Sequence, residues 1–313
     1  MNQDIFAHLD MQRLDRRRKI TNVVMLSLTG LATLLAIIPL FWVTIYVIIK
    51  GGAYINLDLF IHLPQAMGAP GGGVLHAIEG SAIMVSFASL FSIPPALLAA
   101  FYLLQHPNTP LATALRFSTD LLAGMPSIVI GLFGYAIIVV TQKHYSALAG
   151  SAVLAIIMLP VILRSAEEML KLVPSELREG ALALGTPEWK AAITVVLPAA
   201  AEGIVTGIML AIARAAGETA PLIFTALGND HYEIFNYIRQ GITYKQGIGQ
   251  TLTLILEHPT DALPLTLWKY AQQPYPERVQ QAWAVALVLM LFVLLLNIAA
   301  RLWLARRRRQ RYG

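Results

Sequence analysis

The sequence predicts an all-α, polytopic membrane protein with six transmembrane helices. Three observations carry that reading. Of 313 residues, 57% are hydrophobic and only 13% charged, where soluble domains hold about 25% charged residues. Mean hydropathy is +0.62. The apolar residues also fall in long unbroken runs rather than the short alternating segments of a membrane β-barrel. So few charges exclude a disordered chain and leave too little polar surface for two soluble domains.

The runs without Asp, Glu, Lys or Arg are 21–49, 80–115, 121–142, 144–163 and 279–300. About 20 helical residues cross a hydrocarbon core of about 30 Å, so each run is long enough to span. A sixth apolar stretch contains Glu202, Arg214 and Glu218. The expected helices are 21–49, 80–104, 115–142, 146–168, 199–224 and 280–302. The first is longer than the ~7–15 apolar residues of a secretory signal and reads as an uncleaved helix. The chain then divides into a basic tail (1–20), a membrane domain (21–304) and an Arg-rich tail (305–313). Segments 171–198 and 225–279 lie on opposite sides of the membrane.

An even number of spans places both termini on one side, and basic residues choose that side. Sixteen Lys and Arg fall on the side of the tails and of segment 164–198, against six on the other. Both termini and the 171–198 segment are therefore expected in the cytoplasm. The net charge of +5 reads as topology anchoring, with Arg306–Arg309 open to anionic lipid. No domain remains to fold around a nucleic acid. The chain has no cysteine, which excludes a disulfide framework and a thiolate metal site. The external stretch 228–278, with Asp230, His231, Tyr232, Tyr237, Tyr244, Trp268 and Tyr270, suits either a docking surface or an ordinary connection.

Residues 174–198 read as two short helices meeting at a turn. Ser175 is the expected cap of the first and Gly185 its stop. Thr186-Pro187-Glu188 restarts the second. Leu177, Ala181 and Leu184 share a face that needs covering, by a partner or by the bundle itself. The segment resembles the coupling loop of bacterial ABC importer permeases, E-A-A, three residues, G, nine residues, I-x-L-P. Here it runs Glu179-Gly180-Ala181, Gly185 and Val195-Val196-Leu197-Pro198, with Gly180 in place of alanine and Val195 in place of isoleucine. The resemblance implies a type I importer permease fold, with Glu179, Gly180, Ala181, Gly185, Leu197 and Pro198 docking on an ATPase. No G-x-x-x-x-G-K-[ST] phosphate loop occurs, so ATP and magnesium would reside on a separate subunit.

Ala213-Arg214-Ala215-Ala216-Gly217-Glu218-Thr219-Ala220-Pro221-Leu222 puts two charges in an apolar stretch. Each costs roughly 2.5–3.5 kcal/mol near the bilayer centre, so the two should pair and face the bundle interior or another subunit. Gly217 and Pro221 invite a kink. The planar donors of an arginine suit an oxyanion, which makes this a polar station on a path; a structural ion pair is the alternative. The run is similar to the R-x-x-G-E-T-A-P signature of phosphate-specific transport (Pst) permeases. Gly72–Ser81 and Pro126–Phe133 fit the same family, and the short architecture is closer to its PstA-type than its PstC-type subunits.

The resemblance implies phosphate import across the bacterial cytoplasmic membrane by alternating access. It implies a heterodimer with a PstC-type permease, two PstB-type ATP-binding subunits and an external PstS-type phosphate-binding protein. Site residues implied are Arg214, Glu218, Gly217 and Thr219. Arg164, with Glu167 and Glu168 close behind, reads as an inner gate or as an interfacial arginine. Asp120 is expected to favour the amino end of the third helix. His76, His106 and His144 stand alone in the sequence, without metal-ligand spacing. Sulfate and molybdate are competing substrates. An intramembrane hydrolase would need G-x-S-x-G or H-E-x-x-H, and neither occurs.

Overall fold

The computed structural model describes residues 2–66, 71–234, 236, 238, 239 and 248–312. Tyr237 and Tyr244 of the 228–278 stretch lie outside them. Every regular element described is helical, with one isolated bridge between Leu227 and Thr260. In chain order the elements are α1 (Asn2–Gly52), α2 (Leu57–Ile61), α3 (Leu75–Gln105), α4 (Pro110–Gly124) and α5 (Ser127–Gln142). They continue with α6 (Ala147–Lys171), α7 (Ser175–Ala183), α8 (Glu188–Ala216), α9 (Ala220–Thr225), α10 (Ile248–Leu256), α11 (Leu263–Ala271) and α12 (Pro276–Tyr312).

Among the described residues, five helices are individually long and apolar enough to span a membrane, and α4 with α5, taken together as one bent span, makes a sixth. The sequence predicts one helix over 115–142. The chain instead turns by 105° between Gly124 and Ser127. Pro126 supplies the cause: it lacks an N–H and disfavours a helical Met125 before it, and Met125 is extended (φ −76°, ψ 136°). Helix α3 begins at Leu75, earlier than expected, so His76 and Glu79 belong to it. Side-chain caps mark the starts of α4 and α6, Thr109 Oγ1 accepting from Ala112 N at 3.2 Å and Ser146 Oγ from Ala149 N at 3.1 Å.

Helix α6 is the centre of the bundle. It packs along α3 on one side and against α8, α4 and α5 on others. Met84, Ala88, Leu154, Met158, Ile162, Ala211 and Ala215 interlock there. The small residues let backbones approach, which matters where lipid gives helices no hydrophobic reason to associate. Helix α1 contributes almost nothing to this core. It touches α12 near its end, where Tyr46 meets Trp283 edge to face at 5.1 Å. Leu26 and Trp42 are both more than 70% exposed, as suits a lipid-facing surface. Hydroxyls within the helices bond back to the previous turn, as with Ser151 Oγ to Ala147 O at 2.7 Å and Ser89 Oγ to Val85 O at 2.7 Å.

The stretch 225–279 is more than a connection. Leu263, Leu265 and Tyr270 of α11 are fully buried, and α11 packs on both α3 and α12. Tyr232 and Ile234 are buried with Ile255 of α10.

Candidate functional site

Helix α8 carries Arg214 in its last turn, where a cation meets the partial negative charge of the helix end. The helix stops at Gly217, whose N–H bonds to Arg214 O at 3.1 Å. It resumes as α9 with Pro221 in its first turn, where proline's missing N–H costs nothing. The expected span 199–224 is thus broken, and Glu218 lies in the break rather than on a continuous helix face. The pair nevertheless forms, with Arg214 Nε donating to Glu218 Oε1 at 3.4 Å. Thr219 Oγ1 reaches Pro264 O at 3.4 Å, tying the break to α11.

The Arg214 side chain is 44% exposed and Glu218 16%. The two terminal guanidinium nitrogens of Arg214 make no hydrogen bond to the described residues. The glutamate therefore steadies one edge of the arginine and leaves a planar pair of donors pointing away. Behind the break, Gly131 of α5 lies against Pro221. A Cβ there would stand 2.6 Å from Pro221 Cα. The Pro126–Phe133 and Arg214–Leu222 stretches thus meet in space.

Arg164 does not pair with Glu167 or Glu168. Its partner is Asp120, and both side chains are more than half exposed. Asp120 sits well inside α4, not at a helix start, because the bend after Gly124 moves the start of the following helix to Ser127. Glu167 turns the other way. It accepts from Arg116 Nη2 at 2.8 Å and Lys171 Nζ at 2.6 Å, while Arg116 Nη1 also caps Pro107 O at 2.9 Å. This cluster fastens the α3–α4 turn to the end of α6.

In the 171–198 segment, α7 begins after Pro174, and Ser175 makes no capping bond. Pro187 likewise precedes the second helix without a side-chain cap. Gly185 is the stop the sequence indicated. Its φ of +79° is left-handed, where a Cβ is disfavoured. Thr186 N bonds Ala181 O at 3.1 Å and Gly185 N bonds Leu182 O at 2.9 Å, the double closure of a Schellman turn. Arg178 Nη2 holds Glu188 across the turn at 3.3 Å. No residue of α7 is buried, and Leu184 is 88% exposed. Glu179, Gly180 and Gly185 are open, while Ala181, Leu197 and Pro198 are half-buried.

One constellation was missed. His76 is fully buried, with Nε2 3.4 Å from Asp261 Oδ2 and 3.9 Å from Asp230 Oδ1. Lys269 Nζ donates to Asp230 Oδ1 at 2.5 Å and also to Asp261 Oδ2. Burial pushes the Asp261 carboxyl up, but His76 and the Lys269 ammonium outweigh it and hold it at about 2. Burial lowers Lys269, and the two carboxylates more than reverse that, raising it overall. His76 is thus isolated only along the chain. Its neighbours lie more than 150 residues away, a separation no spacing rule detects. The available signal was the charge of Glu79, Asp230, Asp261 and Lys269 flanking apolar runs.

A helix break with a half-open ion pair at one end of α8 and an uncovered helix-turn-helix at the other fit a transmembrane subunit of a binding-protein-dependent importer. Residues 92–310 match the family described as binding-protein-dependent transport system inner membrane component. The chain is 38% identical over 294 residues to the phosphate transport system permease protein PstA of Yersinia pestis, covering 94% of this chain and 92% of that protein. To the PstA of Pasteurella multocida it is 39% identical over 287 residues, covering 91% and 95%. The chain belongs to this family of PstA phosphate transport permeases, multi-pass proteins of the inner membrane. Among solved structures it is similar to inward-facing conformations of the MetNI methionine ABC transporter, with a TM-score of 0.52 at 16% identity over 73% of this chain and 93% of that one. That likeness concerns the fold, which is of the type I ABC importer permease class.

Proposed function

We propose that this chain is one of two permease subunits of an ATP-driven importer that moves inorganic phosphate into the bacterial cytoplasm by alternating access. The observation that carries the reading is Arg214, held at a helix break by Glu218 with two donor nitrogens left open. A bidentate guanidinium fits a phosphate oxyanion, and the nearby carboxylate keeps the site from binding it too tightly to release. Gly217 lets the backbone approach, and Thr219 anchors the break.

Because Arg214 is half exposed in the single chain, the rest of the path wall belongs to a second, PstC-type permease. Arg164, with Asp120, acts nearer the cytoplasmic mouth as a gate that opens when α4 moves against α6. The exposed loop of Glu179, Gly180, Ala181, Gly185, Leu197 and Pro198 enters a groove on one of two PstB-type ATP-binding subunits. Those subunits hold ATP and magnesium; this chain carries no nucleotide and breaks no covalent bond. A PstS-type binding protein delivers phosphate to the outer face, and both termini of this chain are cytoplasmic. The reading is tested by phosphate uptake in cells that express this chain with and without each partner. Uptake that persists when the ATP-binding subunit is removed rejects it.

A further inference from the structure

The ion pairs at the head of α3 leave their histidine unsatisfied. His76 is completely buried and, among the described residues, neither ring nitrogen has a hydrogen-bond partner. A buried imidazole in that state loses the hydration of both nitrogens. Lys269 satisfies the carboxylates of Asp230 and Asp261 but not the ring. One donor atom each from His76, Asp230 and Asp261 falls within 4.8 Å of the others.

We propose that His76, Asp230 and Asp261 form a binding site for a divalent transition-metal cation of the zinc class, with the Lys269 ammonium as the built-in cation that the metal displaces. Donors about 2.0–2.2 Å from a tetrahedral ion stand roughly 3.3–3.6 Å apart, and the His76–Asp261 separation of 3.4 Å already has that value. The His76–Asp230 separation of 3.9 Å closes by a small movement of Asp230, which is 37% exposed. A dication neutralises both carboxylates and also engages the imidazole, which an ammonium here does not. The lysine is 24% exposed, and its flexible stem can carry the charge outward to water. An imidazole ligand favours zinc, cobalt or nickel over magnesium.

The walls of the site are fixed. A Cβ at Gly80 would overlap the Asp261 carbonyl oxygen. Leu263 N donates to Ser81 Oγ at 2.8 Å, and Ile234 N donates to Glu79 Oε2 at 2.7 Å. A bound ion would therefore staple the α9–α12 connection to the head of α3.

The test uses the full chain, free of affinity tag, stripped with chelator in nanodiscs and titrated with Zn²⁺ by calorimetry. The expected result is one ion per chain, with Mg²⁺ unable to compete. His76→Asn should weaken binding by about tenfold to a hundredfold, and Lys269→Met, which removes the competing ammonium, should tighten it. Cobalt substitution gives a second readout, a visible ligand-field band that His76→Asn removes. A thermal melt of His76→Asn alongside wild type separates a lost ligand from a lost fold. The absence of saturable Zn²⁺ binding in both wild type and Lys269→Met overturns the proposal, as does unchanged affinity in His76→Asn.

Discussion

Replacing Arg214 with glutamine separates a transport role from a structural one, because the two predict losses of very different size. The Arg214 side chain is 44% exposed and meets Glu218 through a single 3.4 Å contact. A single long contact to a half-exposed arginine contributes about 0–1 kcal/mol to stability, and glutamine keeps an amide donor for Glu218, so Arg214→Gln should assemble. A charge-assisted bond to an anion is worth about 1.5–3 kcal/mol, which corresponds to roughly 10- to 150-fold in affinity or rate. The assay is the initial rate of radiolabelled phosphate uptake by vesicles holding the assembled complex, normalised to the amount of complex. Uptake should fall by that factor while assembly is preserved. Arg214→Lys keeps the charge but loses the planar fork and should fall in between. Wild-type uptake by an assembled Arg214→Gln complex would refute the reasoning.

Four other outcomes are expected. Gly131→Ala presses a methyl group against Pro221 Cα and should cost about 1–3 kcal/mol by overpacking, seen as a lower melting temperature; an unchanged melt would show that α5 and α9 are not in contact. Gly185→Glu forces a side chain into a left-handed φ at about 1–2 kcal/mol, so the ATP-binding subunit should dissociate or hydrolyse ATP without transport, and a complex that purifies intact and transports normally rejects the coupling loop. Glu167→Gln removes the shared acceptor of Arg116 and Lys171 and should destabilise the chain by about 1–3 kcal/mol without changing substrate selectivity. Asp261 lies below its ordinary 3.8, at about 2; its stabilisation, about 2 kcal/mol, is present above pH 3.8 and lost as pH falls toward 2. Acid unfolding in chelator should show that loss in wild type and not in Asp261→Asn.

The helices were legible in the sequence because each span is a long apolar run and the basic residues sit at its ends. Gly185 was legible for the same local reason: a glycine after a helical face has one main use there. The break after Ala216 was written in Gly217 and Pro221. The 105° turn between α4 and α5 was written in Gly124 and Pro126 too, but the hydropathy of 121–142 masks it, since composition carries no direction. Side-chain pairing was the least legible. Arg164 had two carboxylates nearby in sequence and chose Asp120, because the α4 arm folds against α6. His76 found its neighbours only through the packing of α11 and the 228–234 turn on α3.

The most direct test of the account is substrate selection by proteoliposomes containing this chain, the second permease and the ATP-binding subunits, with ATP inside and the binding protein outside. Uptake of labelled phosphate should require ATP, fall with excess unlabelled phosphate and be indifferent to excess sulfate. Transport that sulfate blocks and unlabelled phosphate leaves untouched would contradict it.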